Sequence, residues 1–264
     1  MNQSTPIARI HSFEEADYSK PFVIEGVTNH WPAFEKWTWD FFKEQYGDKS
    51  LFVFRADGGL NLRKTHSVMG MREYVDYILN TADEHPFYLV DYFVHQNMPE
   101  LLNDFTIPKE FKSWFDRLPH KVKPKFLSLY IGPEKSMSQL HFDIMNTVAW
   151  NACFAGTKKW YFYPPSEADN IYYSEVNVFN PDYEKFPKFA NAKGYHLTQK
   201  AGDLVYTPPG WWHTVQNLEP SIALTDNFVN HLNIKRFFTH FFPATKHLLM
   251  RTWKRRATPR NREK

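Results

Sequence analysis

Cysteine is all but missing from this chain of 264 residues. The single one, Cys153, allows no internal disulfide and no cysteine-built zinc cluster. Glycine is sparse, at 10 residues, and no run approaches the roughly eighteen apolar residues of a membrane-spanning helix. Met1–Pro6 lacks the basic-then-apolar pattern of a secretory leader. These absences predict a chain with no transmembrane segment, at home in a reducing cytoplasm. What it has in plenty is aromatic: 24 Phe, 14 Tyr and 9 Trp make 18% of the sequence, which excludes a disordered chain. The length suits one large domain or two small ones.

Charge is unevenly spread. Residues 230–264 hold ten Lys/Arg against Glu263 alone, a net of +9. The remainder, with 22 basic and 28 acidic residues, stands at −6. A mildly acidic body thus carries a basic C-terminal extension. An acidic body fits a basic substrate; it is also an ordinary solvated surface.

Hydrophobic patterning divides the chain. Up to about residue 90, short strands (21–27, 51–55, 87–90) mix with helical stripes at 37–46 and at Met71, Tyr74, Val75 and Ile78. From Lys125 onward, runs rich in aromatic and β-branched residues follow one another: 126–131, 147–154, 159–163, 203–207, 213–217 and 222–229. Many short strands predict a sandwich or barrel. Helical spacing returns after Asn230. The expected organisation is a β-rich catalytic domain over 1–230, with an α/β N-terminal shell, and a helical basic extension over 231–264.

The chemistry centres on Gln139-Leu140-His141-Phe142-Asp143. On a strand, residues two apart share a face, so His141 and Asp143 would present an imidazole and a carboxylate side by side. His213, after the turn Pro208-Pro209-Gly210, is the best third member. Two histidines and one carboxylate with open positions form the facial triad of non-haem Fe(II) oxygenases. Alone, either histidine reads as an ordinary core or surface residue; the shared β-rich context changes that. Lys158, at the start of the 159–163 strand, is a turn lysine facing water or an inward cation needing an anionic partner. The alternation of Thr147, Ala149, Asn151 and Cys153 with Val148, Trp150 and Ala152 fits a strand lining a pocket. Cys153 reads as a small buried hydrophobe, and Trp150, Trp160, Trp211 and Trp212 as core.

The segment from His141-Phe-Asp143 through Trp150-Asn151 and Gly156-Thr-Lys158 to Pro165 resembles the core of the JmjC-type, cupin-like 2-oxoglutarate oxygenases. Residues 201–218 and Ile222-Ala-Leu-Thr225-Asp-Asn227-Phe228 match the second half of that pattern, and the likeness points to the lysyl hydroxylase branch. The resemblance implies a double-stranded β-helix, or jelly roll. It implies His141, Asp143 and His213 as catalytic iron ligands. Lys158 would hold the distal carboxylate of 2-oxoglutarate, with Thr225, Ser138 and Tyr88 in the same pocket and Asn151 near the iron. Fe(II), 2-oxoglutarate and dioxygen would be required, and the reaction would be hydroxylation, or demethylation through hydroxylation, of a protein or peptide side chain. A small-molecule oxygenase of the same fold stays open. So does a non-catalytic cupin-like protein binding nucleic acid through its basic tail. Ile234, Phe237, Phe238, Phe241 and Phe242 form one helical stripe, and Leu248, Leu249, Met250 and Trp253 belong to a second. Such apolar faces must cover their own barrel, meet another subunit or lie on a membrane; the resemblance to the JmjC-type hydroxylases implies the second, a homodimer through C-terminal helices.

Overall fold

The computed structural model describes residues 3–55, 66–119 and 123–237. The N-terminal part supplies strands β1 (Gln3–Pro6), β2 (Ala8–Ile10), β3 (Phe22–Ile24), β4 (Ser50–Arg55), β5 (His66–Gly70) and β6 (Phe87–Phe93). Helices α1 (Pro32–Lys36), α2 (Trp39–Tyr46) and α3 (Met71–Asn80) lie among them. The rest supplies β7 (Ser128–Gly132), β8 (Met137–His141), β9 (Val148–Ala155), β10 (Thr157–Tyr163), β11 (Lys193–Lys200), β12 (Leu204–Thr207), β13 (Trp212–Asn217) and β14 (Ser221–Phe228).

Local chemistry explains the helices. Thr38 caps α2, its hydroxyl accepting from the Phe41 N–H at 3.1 Å. The helix therefore begins at Trp39 rather than at the expected Trp37. Trp37 is instead buried ahead of the cap, its indole donating to Asp104 at 2.9 Å. In α3 the stripe Met71, Tyr74, Val75 and Ile78 is buried, as its spacing predicts.

Two sheets form the body. One runs β1-β11-β10-β13-β8 and the other β2-β3-β12-β9-β14-β7-β6-β4-β5. Pairing is antiparallel except for β1 with β11 and β2 with β3. Side chains bond from one sheet to the other: Gln199 on β11 donates to Asn151 on β9, and Lys158 on β10 donates to Ser221 on β14. The sheets thus face each other across a polar interior, giving the jelly-roll architecture expected. Alternation along β9 sorts its two faces. Trp150 points away from that interior onto Trp31, with ring centroids 6.2 Å apart, while Asn151 points in. A second apolar cluster gathers Ile171, Val176, Phe186 and Phe189, from the β10–β11 connection, around Leu140 with Trp212 packed against it.

Several sequence expectations need correction. His141 is the last residue of β8, so the strand expected to carry both His141 and Asp143 stops short of the carboxylate. Asp143 lies beyond the strand, in extended backbone at the head of a 3-10 turn over Ile144–Asn146. Strands β1, β2, β5 and β11 were not anticipated. Helix resumes at residues 234–237, where Phe237 meets Phe115 edge-on at 5.5 Å. The second helical stripe, the basic tail and the proposed dimer face lie outside the described residues. Among the described residues, no helix is long and apolar enough to cross a membrane.

Candidate metal centre and cosubstrate pocket

Strand pairing brings the distant histidine home. His213 on β13 sits opposite His141 on β8, with ring centroids 4.3 Å apart. Asp143 completes the group: one candidate ligand atom from each of His141, Asp143 and His213 lies within 4.8 Å of the others.

Their surroundings prepare them as ligands. The Nδ1 of His141 faces the Gln139 carbonyl at 2.7 Å, and that of His213 faces the Trp211 carbonyl at 3.1 Å. A carbonyl only accepts, so each Nδ1 carries the proton and each Nε2 keeps a free lone pair. Burial pushes His213 down to about 4, with His141 adding to the effect, so its imidazole is neutral at physiological pH. One oxygen of Asp143, Oδ2, is buried with no hydrogen-bond partner among the described residues. Leaving a buried acceptor unpaired costs about 1–3 kcal/mol. A divalent cation held by two neutral imidazoles and this carboxylate removes that cost, so the donor set fits Fe(II).

Lys158 is 1% exposed. Its Nζ donates to Asn217 Oδ1 at 2.6 Å, Ser221 Oγ at 3.1 Å and Tyr88 Oη at 3.3 Å. Each of these is neutral, and among the described residues no carboxylate lies within ion-pairing distance of it. A buried ammonium without an anion is expensive, so the pocket is electrostatically complete only with an anionic guest. Gly132 makes room for Tyr88. A Cβ there would sit 2.4 Å from the Tyr88 ring, so only glycine lets that ring lie against β7 and reach Lys158.

The remaining expected residues are near but otherwise engaged. Thr225 shares the inward face with its β9 neighbour Asn151, and its hydroxyl donates to the Trp150 carbonyl at 2.7 Å. The Asn151 amide oxygen accepts from Gln199 at 3.2 Å, and Gln199 in turn accepts from the Trp160 indole. Ser138 lies on β8 across from Val215. Cys153 is a buried filler whose thiol is pushed up to about 11 by burial. Asn217 and Ser221 were not singled out from sequence. Both could have been: steps of two from His213 reach Asn217, and steps of two back from Thr225 reach Ser221.

A family model described as the cupin-like domain matches residues 13–234. Among similar proteins, the lysine-specific demethylase JMJ21 of Arabidopsis thaliana is 33% identical over 83% of this chain and 24% of its own length. The bifunctional arginine demethylase and lysyl-hydroxylase psr-1 of Caenorhabditis elegans is 28% identical over 81% of this chain and 56% of its own. The 2-oxoglutarate and iron-dependent oxygenase JMJD4 of Gallus gallus is 26% identical over 86% of this chain and 61% of its own. The chain therefore spans less than two thirds of each of these relatives. With the family model covering well over half of the sequence and the jelly roll built as that family requires, the chain belongs to the cupin-like domain family.

Proposed function

We propose that this protein is an Fe(II)- and 2-oxoglutarate-dependent oxygenase that hydroxylates, or demethylates through hydroxylation, a protein side chain. The observation that carries this reading is Lys158, a buried cation with only neutral partners, in the same barrel interior as the His141–Asp143–His213 group. The names of the similar proteins support it. His141, Asp143 and His213 would hold the iron, which when bound supplies oxygen activation. Lys158 would pair with the distal carboxylate of 2-oxoglutarate, and Tyr88, Asn217 and Ser221 orient its ammonium. Thr225, Ser138 and Asn151 would line the same chamber. The functional unit would be residues 1–230, with 231–264 as an extension that dimerises the chain. A cytoplasmic location accords with the single buried cysteine.

The test is anaerobic iron loading with and without 2-oxoglutarate, followed by a mass-shift screen of candidate substrates in air. Succinate formed only with iron and 2-oxoglutarate present supports the proposal. An iron-loaded protein that neither binds nor consumes 2-oxoglutarate refutes it.

A further inference from the structure

Gln199, on β11, is fully buried and lies opposite Lys158 in the β10–β11 register. Buried polar groups are paired, so both ends of its carboxamide must be accounted for. The Trp160 indole N–H, which only donates, meets Oε1 at 2.8 Å. The carbonyls of Asn151 and Asp203, which only accept, meet Nε2 at 3.0 Å and 3.3 Å. Exchanging the two ends would set donor on donor and acceptor on acceptor, so Gln199 has a single permitted orientation. The indole that begins the relay is itself held, stacked on Phe162 with ring centroids 5.4 Å apart.

That orientation dictates a second one. The same Nε2 donates to Asn151 Oδ1 at 3.2 Å. Turning the Asn151 amide over would set its NH2 against the NH2 of Gln199. Asn151 is therefore held with its oxygen toward β11, and its Nδ2 has no partner among the described residues. Thr225, its neighbour on β14, already donates its hydroxyl proton to the Trp150 carbonyl at 2.7 Å. Of this pair only Asn151 still offers hydrogens to the chamber. Gln199 is more than a plug for idle carbonyls, since that of Asp203 also accepts from the Cys153 N–H at 3.1 Å.

We infer that Gln199 is a positioning residue of this site: with Trp160 behind it, it locks the Asn151 carboxamide so that the NH2, and not the oxygen, meets the guest of the chamber. This rests on the oxygenase reading above, in which that guest is 2-oxoglutarate. A carboxamide has one donating and one accepting end of nearly equal shape, and a half-turn exchanges them. A 2-oxo dicarboxylate offers acceptors alone. An unlocked Asn151 could turn its own oxygen on those acceptors and repel them; the relay removes that choice before the guest arrives. Lys158 thus answers the guest's charge, and Gln199 sets the hydrogen-bond polarity of a second point in the same chamber.

The test is a double-mutant cycle on 2-oxoglutarate affinity, read by calorimetry on the full chain loaded anaerobically with iron. Gln199→Glu keeps an oxygen to accept from Trp160 and replaces the NH2 that holds Asn151 by an acceptor, which invites the amide to turn over. Its effect is measured with Asn151 present and in an Asn151→Ala background. Whatever the new carboxyl group does to Lys158 is common to both backgrounds and cancels. The loss of affinity is expected to be greater with Asn151 present by roughly 10-fold, a coupling of the size found within one hydrogen-bond network. Gln199→Met frees the amide without reversing it. It is expected to show a smaller ratio of the same sign, and it decides the case if the glutamate variant does not fold. Iron affinity is followed alongside by competition with a chelator. Equal losses in the two backgrounds, no loss in either, or a loss that tracks iron rather than 2-oxoglutarate overturns the inference while the oxygenase reading stands. Failure of wild type to bind 2-oxoglutarate removes both.

Discussion

Replacing Lys158 by methionine should move stability and cosubstrate binding in opposite directions. The ammonium is 1% exposed and is met by three neutral oxygens and no carboxylate. Methionine fills a similar volume without charge. Exchanging buried ionic groups for well-packed hydrophobes is often stabilising by about 1–4 kcal/mol. Against that gain, Asn217 Oδ1 loses its donor, whereas Ser221 and Tyr88 carry hydroxyls that can turn to new partners. The variant should therefore melt a few degrees higher than wild type when both are free of cosubstrate. With 2-oxoglutarate at a hundred times its dissociation constant, wild type should gain ~2.7 kcal/mol. At roughly 2–4 °C per kcal/mol for a chain of this size, that is about 5–10 °C. A 10–150-fold weaker affinity leaves the variant only ~0.3–1.4 kcal/mol at the same concentration. Differential scanning fluorimetry of the iron-loaded proteins, with and without 2-oxoglutarate, reads both effects. A variant that melts lower than wild type yet keeps the full cosubstrate shift would refute the reasoning, and Lys158 would then be a structural donor to Asn217.

Three further outcomes are expected. Asp143→Ala should weaken iron binding by at least ~10–100-fold, the range seen even for groups behind the ligands, while the metal-free protein loses a buried unpaired oxygen and so does not fall in stability; competition with a chelator measures the first and melting the second, and unchanged iron affinity would remove Asp143 from the ligand set. Asp226, in a cavity of about 440 Å³ with Asp116 and Lys123, has its carboxyl pushed up to about 7 by burial, with the charge of Asp116 adding. Its raised value means that its contribution to stability is complete below about 4, where the unfolded chain is also protonated, and is lost as pH rises through about 7. Asp226→Asn should therefore gain on wild type in urea midpoint between pH 5 and pH 8, and an equal gap at both would contradict the shift. Gly132→Ala should push the Tyr88 ring off β7, lowering both the melting temperature and 2-oxoglutarate affinity, whereas a variant indistinguishable from wild type would mean the ring has another place to go.

The sequence made the centre legible because ligand chemistry there is written in local terms. The His141–Asp143 spacing and the Gly210 turn before His213 lie within short segments, and a period of two sorts β9 correctly. The same-face argument nevertheless reached the right pair by a different route, since β8 stops at His141 and extended backbone beyond it carries Asp143. What stayed hidden depends on contacts between distant segments. Strand β11 alternates mostly polar residues and is recruited by its neighbours β10 and β1, so no apolar run announces it. Tyr88 reaches Lys158 only because Gly132, forty-four positions away in the sequence, lacks a side chain.

The apolar cluster behind β8 and β13 ties the metal ligands to the connection between β10 and β11. Leu140 precedes His141 and Trp212 precedes His213, and both pack on side chains from the β10–β11 connection. Whatever opens that cluster lets the two imidazoles drift apart, so ion binding and the closing of the connection are thermodynamically linked. Backbone amides of residues 171–189 should then exchange with deuterium more slowly once the protein is loaded with a divalent ion, though none of them is near the ligands in sequence. A chelator would act on that segment at a distance, and a protease that nicks it would read out the occupancy of the centre.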